Sequence, residues 1–341
     1  MHPFDEQSRA LTTCFACPKL CRFACPVAEA EGRETSTPWG LMTRAEHVRQ
    51  GRAPLDRETA ALWEHCTACG RCQTFCRHGV DVPSVMAAAR AESVRAGLAS
   101  PALAAWADAA PPENAAVRAL PEGGDVLLLP GHADAESIAA ARKLLAAVGM
   151  ERVGRPSRGV MASGERLRWA GQPERYAEQR LRAIRALEGA SLVICLEPGD
   201  ARDLRATEGV QIRTLPEVLF ARRQSLLPRL RRVLPGAALY LDDCALGRGL
   251  GVFDEPRALL AAVVGHVVEA TMQRGEGGCC GAGAGFAATC PDEAAAVARD
   301  AVSDVPDVPV VIASPVCAAH LRASVPARAV FDWTVLLARG L

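Results

Sequence analysis

The sequence is poor in aromatic side chains, has no net charge and contains no long unbroken apolar run. Each shortage narrows what the chain can do. Its 39 acidic and 39 basic residues cancel, so it lacks the electrostatic footprint of a nucleic-acid binder. The arginine-rich stretches Arg222–Arg223 and Arg229–Arg232 follow amphipathic helical patterns and read as solvated faces. The longest apolar segment, around Ala258–Val264, is broken by Gly265 and His266 and is too short to span a bilayer. The N-terminal stretch MHPFDEQSRALTT has neither the apolar centre of a signal peptide nor a twin arginine. A cytoplasmic protein is therefore expected, with at most peripheral contact at the inner membrane face. No Gly-x-Gly-x-x-Gly fingerprint follows a strand, so no flavin is expected on this chain.

Cysteine, by contrast, is abundant. Fourteen are present, a number that disulfides do not explain in a reducing compartment. Eight lie between positions 14 and 76, and Cys195, Cys244, Cys279, Cys280, Cys290 and Cys317 follow. Clustering of this kind points to metal. Cys66-x2-Cys69-x2-Cys72-x3-Cys76 has the spacing of the bacterial ferredoxin run, with Arg77 where a proline usually follows. Cys14-x2-Cys17-x3-Cys21-x3-Cys25-Pro26 is a near copy with one extra residue before its third cysteine. Short spacings let one loop supply three thiolates to a cubane, and in two-cluster ferredoxins the fourth cysteine serves the other cluster. The expected ligand sets are Cys14, Cys17, Cys21 and Cys76 for one [4Fe–4S] cluster, and Cys66, Cys69, Cys72 and Cys25 for the second. Zinc ribbons show two CxxC pairs rather than two runs of four, which disfavours zinc.

At 341 residues the chain exceeds one average domain. The pattern predicts a mostly helical cysteine-rich domain over 1–99, including a helix over Ser84–Leu98 with Ser84 as its N-cap. Residues 100–123, rich in Ala and Pro, read as a linker. From Asp125 onward, apolar runs such as VLLL, LVIC and VPVVI alternate with helical patterns, which predicts largely parallel α/β structure. An internal repeat divides this region into halves at 124–234 and 235–341. Glu197 to Ala206 matches Ser314 to Ala323 at an offset of 117, which also carries Ala162-Ser163-Gly164 onto Cys279-Cys280-Gly281. Pro130-Gly131-His132 matches Asp242-Asp243-Cys244 at an offset of 112. The expected fold class is thus α+β/α, a two-[4Fe–4S] ferredoxin-like domain followed by a duplicated α/β domain.

These motifs together resemble the iron–sulfur subunits of glycolate and lactate oxidases, anaerobic glycerol-3-phosphate dehydrogenase and heterodisulfide reductase. Ser36-Thr-Pro-Trp-Gly-Leu-Met resembles that family's SPRG segment, and Cys76-Arg-His-Gly-Val-Asp-Val-Pro its CPxGxDV ending. In the second half, Asp242-Asp-Cys244-Ala-Leu-Gly-Arg, Cys279-Cys280-Gly281 and Ser314-Pro-Val-Cys317 are similar to the family's HDPCHLGR, CCG and CPxC motifs. The resemblance implies a third iron–sulfur cluster in a CCG domain, on Cys244, Cys279, Cys280 and Cys317; His320, three residues past Cys317, is a candidate nitrogen ligand. On a glycine-rich turn, two adjacent thiolates can face one cluster while backbone amides donate to sulfur.

The first half carries His132, Ala162, Ser163, Glu197 and Asp200 at the matched positions, which are not soft thiolate ligands. It is expected to keep the fold and to have lost the metal. Cys195 reads as a core thiol and Cys290 as structural. The family further implies electron transfer from a flavin-containing dehydrogenase subunit, of the 2-hydroxy-acid type, to a quinone or other acceptor. The competing expectations are disulfide reduction at the CCG domain and a regulatory role for the clusters.

Overall fold

The computed structural model describes residues 4–341 and divides the chain into two compact units. Among the described residues, the first unit comprises 4–109, 166–176 and 278–303, and the second 110–165, 177–277 and 304–341. The units do not follow the boundaries read from the sequence. Two segments of the expected α/β region, 166–176 and 278–303, group with the cysteine-rich N-terminus.

Among its described residues the first unit is built from short helices with identifiable starts. Thr37 accepts from the amide of Gly40 (3.0 Å) and Pro38 occupies the first turn of the helix Pro38–Arg49. Asp56 caps Arg57–Glu64 by accepting from Thr59 N at 2.8 Å. The helix predicted from Ser84 begins earlier, spanning Val82–Arg95. Its N-cap is Asp81, which accepts from Ser84 N at 3.2 Å and from the Ser84 hydroxyl at 2.6 Å. A carboxylate competes well for this position because it also answers the positive end of the helix dipole. The stretch read as a linker holds two capped helices, Pro101–Asp108 behind Ser100 in this unit and Ala115–Arg118 behind Asn114 in the second. The core gathers Phe4, Leu11, Leu41, Met42, Trp63, Val85 and Met86, with Phe4 edge-on to Trp63 at 5.7 Å. Cys14, Cys21, Cys66 and Cys76 pack against this core.

Among the described residues, the second unit contains every strand, and all ladders are parallel. Strands β1 (Val126–Leu129), β2 (Leu192–Cys195) and β3 (Gln211–Thr214) form one sheet in the order β1-β2-β3. Strands β4 (Leu234–Tyr240), β5 (Val264–Val268), β6 (Val310–Ile312) and β7 (Val330–Asp332) form the other in the order β5-β4-β6-β7. The runs VLLL, LVIC and VVI are almost wholly buried, as expected of strands covered on both faces. β2 and β6 each lead into a helix beginning at proline, Pro198–Leu204 and Pro315–Ser324. The helix Ala135–Ala147 packs on the last helix, Trp333–Arg339, where Ser137 donates to Asp332 (2.9 Å) and Lys143 to the Ala338 carbonyl (2.8 Å).

Candidate metal centres

The eight N-terminal cysteines line two cavities of similar size, four to each. Cys14, Cys17, Cys21 and Cys76 line the first, together with Lys19, Trp39 and Val80. Cys25, Cys66, Cys69 and Cys72 line the second, together with Leu41, Thr67 and Val82. The last cysteine of each run therefore faces the cavity built by the other run. Local backbone conformation makes this possible. Lys19 (φ 67°), Ala68 (φ 54°) and Gly70 (φ 72°) are left-handed, which turns the loops tightly between successive cysteines. Cys25 stands at the N-cap of the helix Pro26–Glu31, where the nearby amides of Ala28 and Val27 favour its thiolate, and its sulfur lies 3.7 Å from the Ser36 carbonyl oxygen.

The thiols of Cys14, Cys21, Cys25, Cys66 and Cys72 resist ionisation. Burial, followed by the charges of Cys21, Cys76 and Cys17, pushes the Cys14 thiol up to about 12. Burial also pushes Cys25 up to about 12, against the amides that favour its thiolate. Cys72 is raised well above its ordinary value by burial and by Cys69, Cys66 and Cys25. Four sulfurs facing one cavity, several of them desolvated, suit a soft, positively charged guest that keeps them deprotonated. Among the described residues, no three His, Cys, Asp or Glu side chains converge on a point that would hold a single metal ion. A cubane spreads its four thiolates over four irons and needs no such convergence.

The Cys279-Cys280-Gly281 turn belongs to the first unit. Gly281 N approaches the Cys279 sulfur at 3.4 Å and Ala282 N approaches that of Cys280 at 3.5 Å. Cys279 lies 3.6 Å from the Thr67 hydroxyl and shares an apolar cluster with Val27, Phe286, Cys25, Cys69 and Cys290. Gly283 sits so close to the second cysteine loop that a Cβ there would fall 2.3 Å from the Thr67 carbonyl oxygen. Cys290, read from the sequence as structural, lies 3.7 Å from His65 Nε2, whose Nδ1 is 2.5 Å from Glu31. The Ser36 hydroxyl donates to the same carboxylate. Bonding to Cys290 and then to Glu31 pushes the His65 imidazole up to about 9.

The remaining candidates lie in the second unit. Cys317 is buried in the first turn of the helix Pro315–Ser324, its amide bonded to Ser314 Oγ (3.3 Å) and its thiol donating to Asp243 (3.4 Å). His320 follows one turn later, with Nε2 3.4 Å from the Ser324 hydroxyl. Cys244 follows Asp243, whose carboxylate accepts from Leu246 N at 2.7 Å. Glu197 and Ser314, matched at the repeat offset, bond each other. The Ser314 hydroxyl donates to Glu197 at 3.0 Å, and the Val316 amide donates to the same carboxylate at 3.3 Å. Buried Asp200 accepts from the amide of buried Ser163 at 2.7 Å. Burial and the neighbouring Asp200 push the Glu197 carboxyl up to about 8, and burial pushes Asp200 up to about 7. His132 is half-buried in the turn after β1. Cys195 is fully buried in an apolar cluster at the end of β2.

Sequence reasoning passes over Glu31, His65, Thr67, Asp243 and Arg90. Arg90 leaves a signal. It stands one turn beyond Met86 on the buried stripe Val82, Val85, Met86, Ala89, where an apolar residue is expected.

Comparison with known proteins adds chemistry to this geometry. Residues 10–80 match the model of a 4Fe-4S dicluster domain, and residues 238–322 match that of a cysteine-rich domain designated CCG. A dihydromethanophenazine:CoB–CoM heterodisulfide reductase subunit of Methanosarcina acetivorans is 40% identical over 79 residues, 23% of this chain and 19% of that protein. Its Methanosarcina mazei counterpart is 46% identical over 66 residues, 19% of this chain and 16% of that protein. The EtfAB:quinone oxidoreductase of Syntrophomonas wolfei is 50% identical over 46 residues, 14% of this chain and 6% of that protein. Each match thus spans less than a fifth of the relative's length. Residues 10–80 thus carry a 4Fe-4S dicluster domain and residues 238–322 a CCG domain. Among the described residues, no helix is long and apolar enough to cross a membrane.

Proposed function

We propose that this chain is the electron-transfer subunit of a multi-subunit oxidoreductase. One cubane is held by Cys14, Cys17, Cys21 and Cys76, and a second by Cys25, Cys66, Cys69 and Cys72. The single observation that carries this reading is the division of eight thiols between two cavities lined by four sulfurs each. A bound [4Fe–4S] cluster supplies one-electron exchange. The chain's own residues hold the thiolates in place, donate amide hydrogen bonds to sulfur and exclude water with Leu41, Val80 and Val82. In this reading electrons enter from a flavin dehydrogenase partner oxidising a 2-hydroxy acid and leave toward a quinone or another acceptor. A relative named as a quinone oxidoreductase supports the acceptor class, and the family resemblance of the motifs supports the donor.

A third cluster on Cys244, Cys279, Cys280 and Cys317, with His320 as a further ligand, extends the reading on sequence grounds. The reciprocal pairing of Glu197 with Ser314 favours an origin of the α/β region by duplication. The test is anaerobic mixing of the iron-loaded chain with a flavin 2-hydroxy-acid dehydrogenase and its substrate. Substrate-dependent bleaching of the cluster absorption is expected. Bleaching by dithionite but by no such dehydrogenase would overturn the assignment of the electron donor. A second reading, reduction of a disulfide, is favoured by the heterodisulfide reductase relatives, and turnover of a disulfide by the isolated chain would establish it.

A further inference from the structure

Arg90 is 2% exposed, and all five of its N–H donors are used. Every acceptor is a backbone carbonyl. Nε donates to Trp63 O at 2.9 Å, Nη1 to Trp169 O and Ala284 O at 2.8 Å each, and Nη2 to Glu64 O at 3.2 Å and Cys66 O at 2.6 Å. Among the described residues, no carboxylate bonds to it. The Glu64 carboxylate is engaged by Ser100, through its amide at 3.0 Å and its hydroxyl at 2.8 Å. The guanidinium therefore has neutral partners for its hydrogen bonds and no bonded anion for its charge. Burial of such a charge costs several kcal/mol unless an opposite charge lies close by. Burial lowers the affinity of Arg90 for its proton. Among the groups that oppose this, the Cys66 sulfur acts before Glu64.

We propose that Arg90 is the built-in counter-ion of the cluster on Cys25, Cys66, Cys69 and Cys72, and that its charge raises that cluster's reduction potential. The inference rests on the ligand set proposed above. With four thiolates the oxidised cluster is a dianion, and the single electron it accepts makes it a trianion. A fixed cation in a low-dielectric interior stabilises the trianion more than the dianion. The first cavity is lined by cations of a different kind: Lys19, ion-paired with Glu34 at 3.1 Å, and Arg77, exposed to solvent that screens its charge. The effect is therefore specific to one cluster.

The test is an anaerobic dithionite titration of the full iron-loaded chain, followed by EPR, in wild type, Arg90→Gln and Arg90→Lys. The signal of interest is the one that Cys66→Ser abolishes. In Arg90→Gln its reduction equilibrium should fall tenfold or more, a shift of ~59 mV to more negative potential, while the other cubane signal stays put. Arg90→Lys, which keeps the charge, should remain within about threefold of wild type. Unchanged potentials in Arg90→Gln would overturn the proposal. Equal shifts in both variants would also overturn it, because they would mark a structural role. If Arg90→Gln fails to assemble this cluster, Arg90→Lys decides. Assembly with a near-native potential supports the charge argument, and failure of both variants refutes it. If Cys66→Ser abolishes no signal in the first place, the ligand assignment has failed, and that result is distinct from either outcome for Arg90.

Discussion

Replacing Asp200 with Asn should make the second unit more stable at pH 8 and leave it nearly unchanged at pH 4. Asp200 is 4% exposed, accepts from Ser163 N and is crowded by Gly131, whose Cβ position would lie 2.7 Å from Asp200 Oδ2. Burial raises its carboxyl from 3.8 to about 7, and the charges of Glu165 and Asp203 add to the rise. The sign follows from linkage. The folded state binds this proton more tightly than the unfolded state, so stability is full below the unfolded value and is lost as pH rises through the folded one. From 3.8 to about 7, at about 1.4 kcal/mol per unit, the ceiling on that loss is about 4 kcal/mol. Asparagine keeps the shape and the acceptor for Ser163 N and cannot ionise. The assay is thermal unfolding of the intact chain at both pH values. For a unit of this size the midpoint moves by about 2–4 °C per kcal/mol, so a difference of several degrees is expected at pH 8. An Asp200→Asn variant whose offset from wild type is the same at both pH values would refute the buried-acid argument. Because Asp200 also raises Glu197, the pair should be non-additive with Glu197→Gln.

Two further predictions concern the cysteine-lined cavities. Cys76→Ser should perturb the same EPR signal as Cys14→Ser, and Cys25→Ser the same signal as Cys66→Ser. Grouping by position along the chain instead would contradict the crossed assignment. Gly283→Ala places a Cβ 2.3 Å from the Thr67 carbonyl and should destabilise the first unit by about 1–3 kcal/mol, with faster iron loss to a chelator. Wild-type melting and iron retention in this variant would show that the close approach does not matter.

The features legible in the sequence depend on local spacing. Three cysteines within one loop announce themselves, because the ligand geometry is set by a few consecutive dihedrals. The runs VLLL, LVIC and VVI are equally clear, since burial on both faces leaves no polar alternation to confuse them. β3 (QIRT) and β7 (VFD) are short and partly polar, and their strand character comes from parallel partners rather than from their own residues. The helix starts at Val82 rather than at Ser84 because Asp81 and Ser84 are both good capping residues, bond each other, and only one can hold the cap. The grouping of 166–176 and 278–303 with the cysteine-rich N-terminus is out of reach of the sequence. It depends on contacts such as Arg90 to the Trp169 and Ala284 carbonyls, 79 and 194 residues away, and hydrogen bonds to backbone leave no pattern in side-chain sequence. The carboxylates at 197 and 200 are visible as departures from a cysteine pattern. Their burial, and the pairing of Glu197 with Ser314, require the fold.

The central claim, that eight cysteines from Cys14 to Cys76 hold two cubanes, is tested most directly by metal and sulfide analysis of anaerobically purified chain. About eight iron and eight acid-labile sulfide per chain are expected for the two cubanes, with more iron if a third cluster is present. Iron near zero with stoichiometric zinc would contradict it.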